Sequence, residues 1–203
     1  NAQVNFHSYE DRTLLDVGTV LTGSGTIYRA FKHFGINSLK KLKKLNMEPQ
    51  ESSHYDRFRK LPEDKEQYEY QIDIDDTRLF YTENSGIYLK GGRTNALKKM
   101  KRIRNLGEYK ELRQFPSDKT GTTKLSAYLK FGCVSPKEVY WKVKEIHGTE
   151  HELIRQLLFR DFYFNVCSEY PHVFGNNYNR KFDEIHELWN NDSEQFEAWK
   201  QGK

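Results

Sequence analysis

Residues 121–132 read Gly-Thr-Thr-Lys-Leu-Ser-Ala-Tyr-Leu-Lys-Phe-Gly, and this stretch decides the fold that we expect. Hydroxyl groups and one lysine, from Thr122 to Ser126, precede a short helical stretch that Gly132 can terminate. Free backbone amides at a helix start, beside hydroxyls and a cation, favour the oxygens of a phosphate. A capped helix without any ligand accounts for the same residues, so a phosphate site requires a second feature.

That second feature is the segment 156–163, which reads Gln-Leu-Leu-Phe-Arg-Asp-Phe-Tyr. Four side chains recur at helical positions i, i+3, i+4 and i+7 and therefore share one face: Gln156, Phe159, Arg160 and Tyr163. An amide, two rings and a guanidinium together suit a flat heteroaromatic ligand. A charged arginine among leucines and phenylalanines is costly to bury unless an anionic or polar group meets it. The alternative is an arginine paired with a carboxylate elsewhere in the core.

Further stretches extend the pattern on both sides. The segment 109–116 reads Tyr-Lys-Glu-Leu-Arg-Gln-Phe-Pro, and 196–203 reads Phe-Glu-Ala-Trp-Lys-Gln-Gly-Lys. Taken in order with the two central segments, they resemble the DNA photolyase/cryptochrome family in spacing and residue types. Residues 14–31 are more loosely similar to the stretch in which that family leaves its N-terminal α/β antenna domain.

The resemblance implies a mainly α fold, namely part of the helical FAD-binding domain of the family. A remnant of the α/β antenna domain and a long linker would precede it. We expect residues 1–16 to be the tail of the antenna domain and residues 17–80 the interdomain connection and linker. Residues 81–203 would form the N-terminal half of the FAD-binding domain.

The same resemblance assigns binding residues. Tyr109 would lie against the flavin of FAD, and Arg160 would sit beside it. Five consecutive residues would take the FAD phosphates: Thr122, Thr123, Lys124, Leu125 and Ser126. A flipped-out DNA lesion would meet the helix wall that Gln156, Phe159 and Tyr163 line. No catalytic residue and no metal ligand is assigned within this chain.

Photolyases of this family use reduced FAD, excited by light, to send one electron to a pyrimidine dimer in DNA. The implied function is therefore part of a deoxyribodipyrimidine photo-lyase, a carbon-carbon lyase, whose partners are DNA containing pyrimidine dimers and a second polypeptide that completes the FAD domain. Two alternatives stay open. One is a cryptochrome-like blue-light signalling protein, and the other is a nucleic-acid-binding remnant without flavin that uses the basic residues of 98–104 on phosphates.

Three residues depart from the family pattern. Lys124 stands where many members have arginine, so a point charge replaces a forked donor. Gln156 stands where many dimer-repairing bacterial members have glutamate. Phe159 replaces a usual tryptophan, which removes the area and the donor of the indole, and stacking on a base contributes roughly 1–3 kcal/mol.

Local signals predict several helices. Ser135, Pro136 and Glu138 form a capping box with proline at the first helical position, and a glycine follows at 148, which predicts a helix over 136–147. The same capping-box spacing from Thr149 predicts a longer helix that starts directly after it. Ser193 is a third predicted cap. Leu97, Met100 and Ile103 recur every three residues and predict an apolar stripe on a basic helix.

Composition limits the class of protein. The 203 residues carry 33 Lys and Arg against 29 Asp and Glu, a net charge of +4 that permits nucleic-acid contact without requiring it. The two cysteines, Cys133 and Cys167, lack metal-site spacing and predict reduced thiols. No apolar run reaches the roughly 18 residues of a membrane span, and the N-terminus lacks a signal pattern. We therefore expect a soluble intracellular protein, and the start at Asn1 favours a fragment.

Overall fold

The computed structural model describes residues 6, 10–45, 48, 80–82, 84–185 and 192–203. These residues contain α-helices and no β-strand, and one antiparallel bridge joins Leu21 to Ile27. The prediction of a mainly α fold is thus confirmed. The α-helices of the described ranges are α1 (Phe31–Leu42), α2 (Arg93–Met100), α3 (Tyr109–Leu112), α4 (Ser126–Lys130), α5 (Pro136–His147), α6 (Glu152–Glu169) and α7 (Ser193–Lys200).

The chain divides into two compact units, and the first comprises residues 1–46 together with 152–203. In this unit α1 packs against α6, the longest helix of the described residues. Its core combines aromatic and aliphatic side chains from both helices and from the loop that precedes α1. The buried members include Leu14, Leu15, Val20, Phe34, Leu42, Leu153, Ile154, Leu157, Leu158 and Phe162.

The second unit comprises residues 47–151. A 3-10 turn, Lys101–Asn105, continues α2 and packs against α5. Two half-buried imidazoles contact this turn and the residue after it: Nε2 of His147 lies 2.6 Å from the carbonyl oxygen of Ile103, and Nε2 of His151 lies 2.8 Å from that of Leu106. The core of the unit includes Ala96, Ile103, Leu106, Leu125, Tyr128, Val134, Val139, Tyr140 and Val143.

Helix α5 has the predicted bounds, Pro136–His147. The hydroxyl of Ser135 accepts from the amide of Lys137 at 3.1 Å, and Glu138 Oε2 accepts from the amide of Ser135 at 2.8 Å. Arg93 at the start of α2 adds a two-pronged ion pair to Glu138, at 2.7 and 3.2 Å. The prediction of a capped helix over 136–147 is therefore confirmed.

Two predicted helix starts are wrong, one by two residues and one by a single residue. Helix α6 begins at Glu152, not directly after Thr149, and residues 149–150 form a turn. His151, the residue before the helix, contacts the carbonyl oxygen of Leu106 at 2.8 Å, a tertiary partner that the local capping pattern does not indicate. In α7 the cap is Asp192 and not Ser193, because Asp192 Oδ1 accepts from the backbone amides of Glu194 at 2.9 Å and Gln195 at 3.1 Å.

The predicted apolar stripe on α2 is also only partly present. Ile103 is fully buried, Met100 is half-buried and Leu97 is 40% exposed, whereas Ala96 is buried. The chain tightens into the 3-10 turn after Met100. The number of residues per turn changes there from 3.6 to about 3, which rotates the buried face away from Leu97.

Among the described residues, no helix combines the length and the apolar character required to cross a membrane.

Both cysteines are free thiols and half-buried. In α7, Phe196 and Trp199 stack on each other at 5.7 Å and are 56% and 72% exposed.

Candidate functional site

The four predicted site residues of the first unit all lie on α6. Gln156, Phe159 and Arg160 are half-buried, and Tyr163 is 60% exposed. The amide of Gln156 donates to Glu152 Oε1, one turn earlier, at 2.8 Å. An amide, a ring and a cation are thus held on one helix, partly shielded from water.

Phe159 is stacked on Phe31 of α1, with ring centroids 3.4 Å apart and an interplanar angle of 11°. The guanidinium of Arg155 lies 5.4 Å from the ring centroid of Phe31 and 5.1 Å from that of Phe159. The residue predicted to line a lesion wall therefore also joins α1 to α6. Such a stack keeps the ring rigid, which suits a residue that presents an apolar edge to a ligand.

Arg160 is held by polar and aromatic contacts within the first unit. Its Nη1 donates to the carbonyl oxygen of Arg12, and its guanidinium lies 4.8 Å from the ring centroid of Phe164. Burial lowers the pKa of Arg160, and the neighbouring carboxyl of Asp161 opposes that effect. A partly desolvated guanidinium with several N–H groups gains strongly from an anionic or polar ligand.

Asp161 and Asn165, one turn apart on α6, are buried polar residues that our sequence analysis missed. Asp161 Oδ2 accepts from the backbone amides of Leu14 at 2.9 Å and Leu15 at 3.2 Å. Asn165 Oδ1 accepts from the amide of Gly18 at 2.8 Å. We call these two side chains, with the loop 12–18 that they hold, the clamp. The available signal was an Asp and an Asn at i and i+4 on the apolar side of a helix.

Burial raises the pKa of Asp161 to about 7, although the amides of Leu15 and Leu14 and the charge of Arg160 lower it. Glu10 adds a small further increase. The other carboxyl oxygen, Oδ1, is buried and has no hydrogen-bond partner in the described structure. Near neutral pH this carboxyl is therefore divided between its charged and neutral forms.

The predicted phosphate loop, residues 121–126, lies in the second unit. Thr122 and Lys124 are half-buried and Ser126 is exposed, whereas Thr123 and Leu125 are buried. The hydroxyl of Thr123 accepts from the amide of Leu125 at 3.2 Å. Three of the five predicted residues thus present donors to solvent, and the other two shape the loop.

Two backbone features fix the form of this loop. Lys124 has a positive φ of 56°, a left-handed conformation that costs a non-glycine residue about 1–2 kcal/mol. Gly121 leaves no room for a side chain, since an added Cβ would lie 2.9 Å from Leu112 Cβ and 3.0 Å from an oxygen of Asp118. Strain of this kind is concentrated at ligand-binding sites.

Tyr109, the remaining predicted flavin contact, is 8% exposed, and its ring centroid lies 5.9 Å from that of His151. It begins α3 and packs in the core of the second unit. Its ring is thereby fixed in place, and little of it faces solvent.

The accessible donors of the phosphate loop fit the anionic phosphates of FAD. One cation and two hydroxyls lie beside α4, whose first amides have no acceptor within the helix. On α6, the partly desolvated Arg160 fits a polar heteroaromatic ring system. No group of three or more His, Cys, Asp or Glu that could hold a metal ion occurs among the described residues.

Comparisons with known proteins agree with this chemistry. Residues 153–203 match the model of the FAD binding domain of DNA photolyase. A Cryptochrome DASH from Danio rerio is 32% identical over 125 residues, which cover 56% of this chain and 24% of that protein. A (6-4)DNA photolyase from Oryza sativa subsp. japonica is 32% identical over 127 residues, covering 56% and 23% respectively. A deoxyribodipyrimidine photo-lyase from Alkalihalophilus pseudofirmus is 29% identical over 117 residues, covering 55% and 24%.

The chain spans about a quarter of the length of these curated relatives. The match to the domain model begins one residue after the start of α6 and includes all four predicted residues of that helix.

Proposed function

Because this chain belongs to the DNA photolyase/cryptochrome family and FAD is the cofactor of the matched domain, we propose that it is part of a light-dependent DNA photolyase. Its substrate would be DNA that contains pyrimidine dimers. When bound, FAD supplies the absorption of light and the one-electron chemistry. The residues of the chain supply binding, orientation and exclusion of water.

The observation that carries this proposal is Arg160. Its guanidinium is partly desolvated within the segment that matches the FAD-binding model, and in the described structure it meets a neutral carbonyl and a ring. Burial of a cation is costly, and a bound polar cofactor would offset that cost. We assign Arg160 to flavin binding, and Thr122, Lys124 and Ser126 to the FAD phosphates.

We assign the lesion wall to Gln156, Phe159 and Tyr163. Gln156 offers an amide for hydrogen bonds to a base, Phe159 offers an apolar ring and the exposed Tyr163 offers a further ring for stacking. Asp161 and Asn165, turned to the buried side of the same helix, are structural in this scheme.

The test compares Arg160→Ala with Arg180→Ala, a matched removal of an exposed arginine of the same unit. FAD affinity is measured by quenching of flavin fluorescence. We expect Arg160→Ala to weaken binding at least about tenfold, since hydrogen bonds to charged groups contribute about 1.5–3 kcal/mol. The control is expected to change affinity less than about twofold. Equal affinity of the two variants would contradict the assignment.

A repair assay tests the substrate. The flavin-loaded protein is illuminated with blue light in the presence of an oligonucleotide that carries one cyclobutane dimer, and dimer loss is measured against a dark control. Light-dependent loss supports a photolyase. Flavin binding without dimer loss would favour the second candidate, a cryptochrome-like signalling protein, which the similarity to Cryptochrome DASH also supports.

A further inference from the structure

The clamp satisfies the backbone of a buried loop. Thr13, Leu14 and Leu15 are all less than 5% exposed, so their amide groups have no access to bulk water. Asp161 supplies the acceptor for the second and third of these residues. A buried amide that loses its acceptor is strongly destabilising. The position of this loop therefore depends on the carboxyl of Asp161.

The same loop provides the acceptor for Arg160. The carbonyl of Arg12 receives Nη1 of Arg160, and Arg12 stands two residues before the first amide that Asp161 holds. Arg160 and Asp161 are consecutive on α6, so one helix contacts both ends of a short loop segment. Asn165 holds the segment farther along, through Gly18. Displacement of the loop would remove the acceptor of Arg160.

We propose that Asp161 is the positioning residue of Arg160: by holding loop 12–18 it presents the carbonyl of Arg12, which keeps the guanidinium in one orientation. The inference rests on the proposed function only in that Arg160 is assigned to FAD. Direct contact with the ligand is not part of the role of Asp161. Asp161 acts through two backbone amides and one backbone carbonyl.

The structure suggests a matched pair of substitutions. Asp161→Asn keeps an oxygen that accepts from both amides, whereas Asp161→Leu has a similar volume without an acceptor. The exposed Glu169→Gln on the same helix is the control for loss of a carboxylate. The measurement is the hydrogen exchange of the Leu14 and Leu15 amides in the 203-residue chain, together with the NMR signals of the Arg160 guanidinium.

We expect Asp161→Leu to accelerate exchange of both amides at least about tenfold and to bring the Arg160 guanidinium into fast exchange with water. Asp161→Asn and Glu169→Gln should keep both readouts within about threefold of the parent. A general loss of stability would affect the two Asp161 variants alike and would not be rescued by asparagine. Guanidinium signals that are unchanged in Asp161→Leu would overturn the inference.

Flavin binding separates this inference from the proposed function. We expect Asp161→Leu to weaken FAD binding, and Asp161→Asn to restore it. If Arg160→Ala leaves FAD affinity unchanged, the assignment of Arg160 to FAD fails, while the loop measurements still decide the role of Asp161. A different result would contradict only the positioning role: Arg160→Ala loses FAD affinity, but the NMR signals of the Arg160 guanidinium are the same in Asp161→Leu as in the parent.

A measurement on the unchanged chain covers the case in which Asp161→Leu does not fold. The carboxyl carbon of Asp161 is titrated by NMR, with Arg160 on the helix and Glu10 on the loop as the charged groups that face it. The amide signals of Leu14 and Leu15 should follow the same titration curve, and so should the carbonyl carbon of Arg12. Amide and carbonyl signals that do not follow it would refute the role of Asp161.

Discussion

At the scale of single residues, Lys124 combines a functional assignment with a strained backbone. Its left-handed conformation is more favourable for glycine, which has no Cβ. Lys124→Gly should therefore raise the free energy of unfolding by about 0.5–1 kcal/mol and at the same time weaken FAD binding, because the cation is lost. Chemical denaturation and flavin fluorescence measure the two effects separately.

Lys130→Gly is the control for Lys124→Gly, and the opposite change in stability is expected for it. Lys130 is the last residue of α4, where glycine costs up to about 1 kcal/mol, so this variant should be less stable without a matching loss of FAD affinity. Lower stability of Lys124→Gly would show that the left-handed conformation is not a source of strain.

A second prediction for a single residue concerns Asp161 and the pH dependence of the free energy of unfolding. Its pKa is raised in the folded state, so the folded chain binds more protons than the unfolded chain between about pH 4 and pH 7. The contribution of Asp161 to stability is therefore full below about pH 4 and is lost as the pH rises to about 7. A shift of this size corresponds to on the order of 4 kcal/mol.

The measurement is the difference in the free energy of unfolding between Asp161→Asn and the parent at several pH values. Asparagine does not titrate, so the difference should move in favour of the variant as the pH rises and level off above about 7. Arg160 and Glu10, the charged groups that face Asp161, remain in both proteins. A difference that is constant from pH 4 to 8 would exclude the raised pKa.

At the scale of elements, the capped start of α5 joins two helices. Hydrogen bonds from Arg93, together with the amide of Ser135, lower the pKa of Glu138 against the opposing effect of its burial. Glu138→Gln keeps part of the capping box and loses the ion pair, so we expect a loss of about 1 kcal/mol at neutral pH. This contribution is present above the ordinary glutamate pKa and is lost as the pH falls through the lowered value.

Denaturant unfolding at pH 7 and pH 3 measures that prediction. Glu145→Gln, an exposed position of the same helix with an i to i+3 ion pair to Lys142, should cost less than about 0.5 kcal/mol at either pH. An equal cost at both helix positions would show that the contact of Arg93 with Glu138 contributes little.

The elements also show what the sequence could predict. Helix α5 is signalled by residues within its own first turn and by the glycine after it, so both ends were predictable. The capping pattern from Thr149 predicts a start of α6 two residues early, and the residue before the observed start, His151, contacts the carbonyl of Leu106, 45 residues away. Local patterns cannot report such partners.

The candidate site shows the same limit: a local sequence pattern can point to a residue but not to its distant partner. Arg160 could be selected from the helical pattern, since an arginine among apolar residues is conspicuous in any sequence. Asp161 and Asn165 were missed because their partners, Leu14 and Gly18, are 147 residues away in the chain. The assignments of Tyr109, of the phosphate loop and of the domain bounds remain predictions.

At the scale of the whole molecule, a small positive charge coexists with a concentrated basic segment. Lys98, Lys101 and Arg104 are exposed on α2 and the following turn. If the protein binds DNA, Lys101→Ala should weaken binding about equally for damaged and undamaged duplexes and reduce the salt slope by about one. Binding titrations at several salt concentrations measure this, with Lys200→Ala as a control outside the segment. An unchanged slope would exclude Lys101 from the DNA contact.

The clamp also has a consequence for synthesis in the cell. Leu14 and its acceptor Asp161 are separated by 147 residues. At the usual rates of about 5–20 residues per second, a ribosome makes Asp161 roughly 7–30 s after Leu14. During that interval the two leucines that later enter the core have no native acceptor for their amides, and the nascent chain is open to aggregation and to chaperones. The hydrogen bonds of Leu14 and Leu15 to Asp161 can thus form only late in translation.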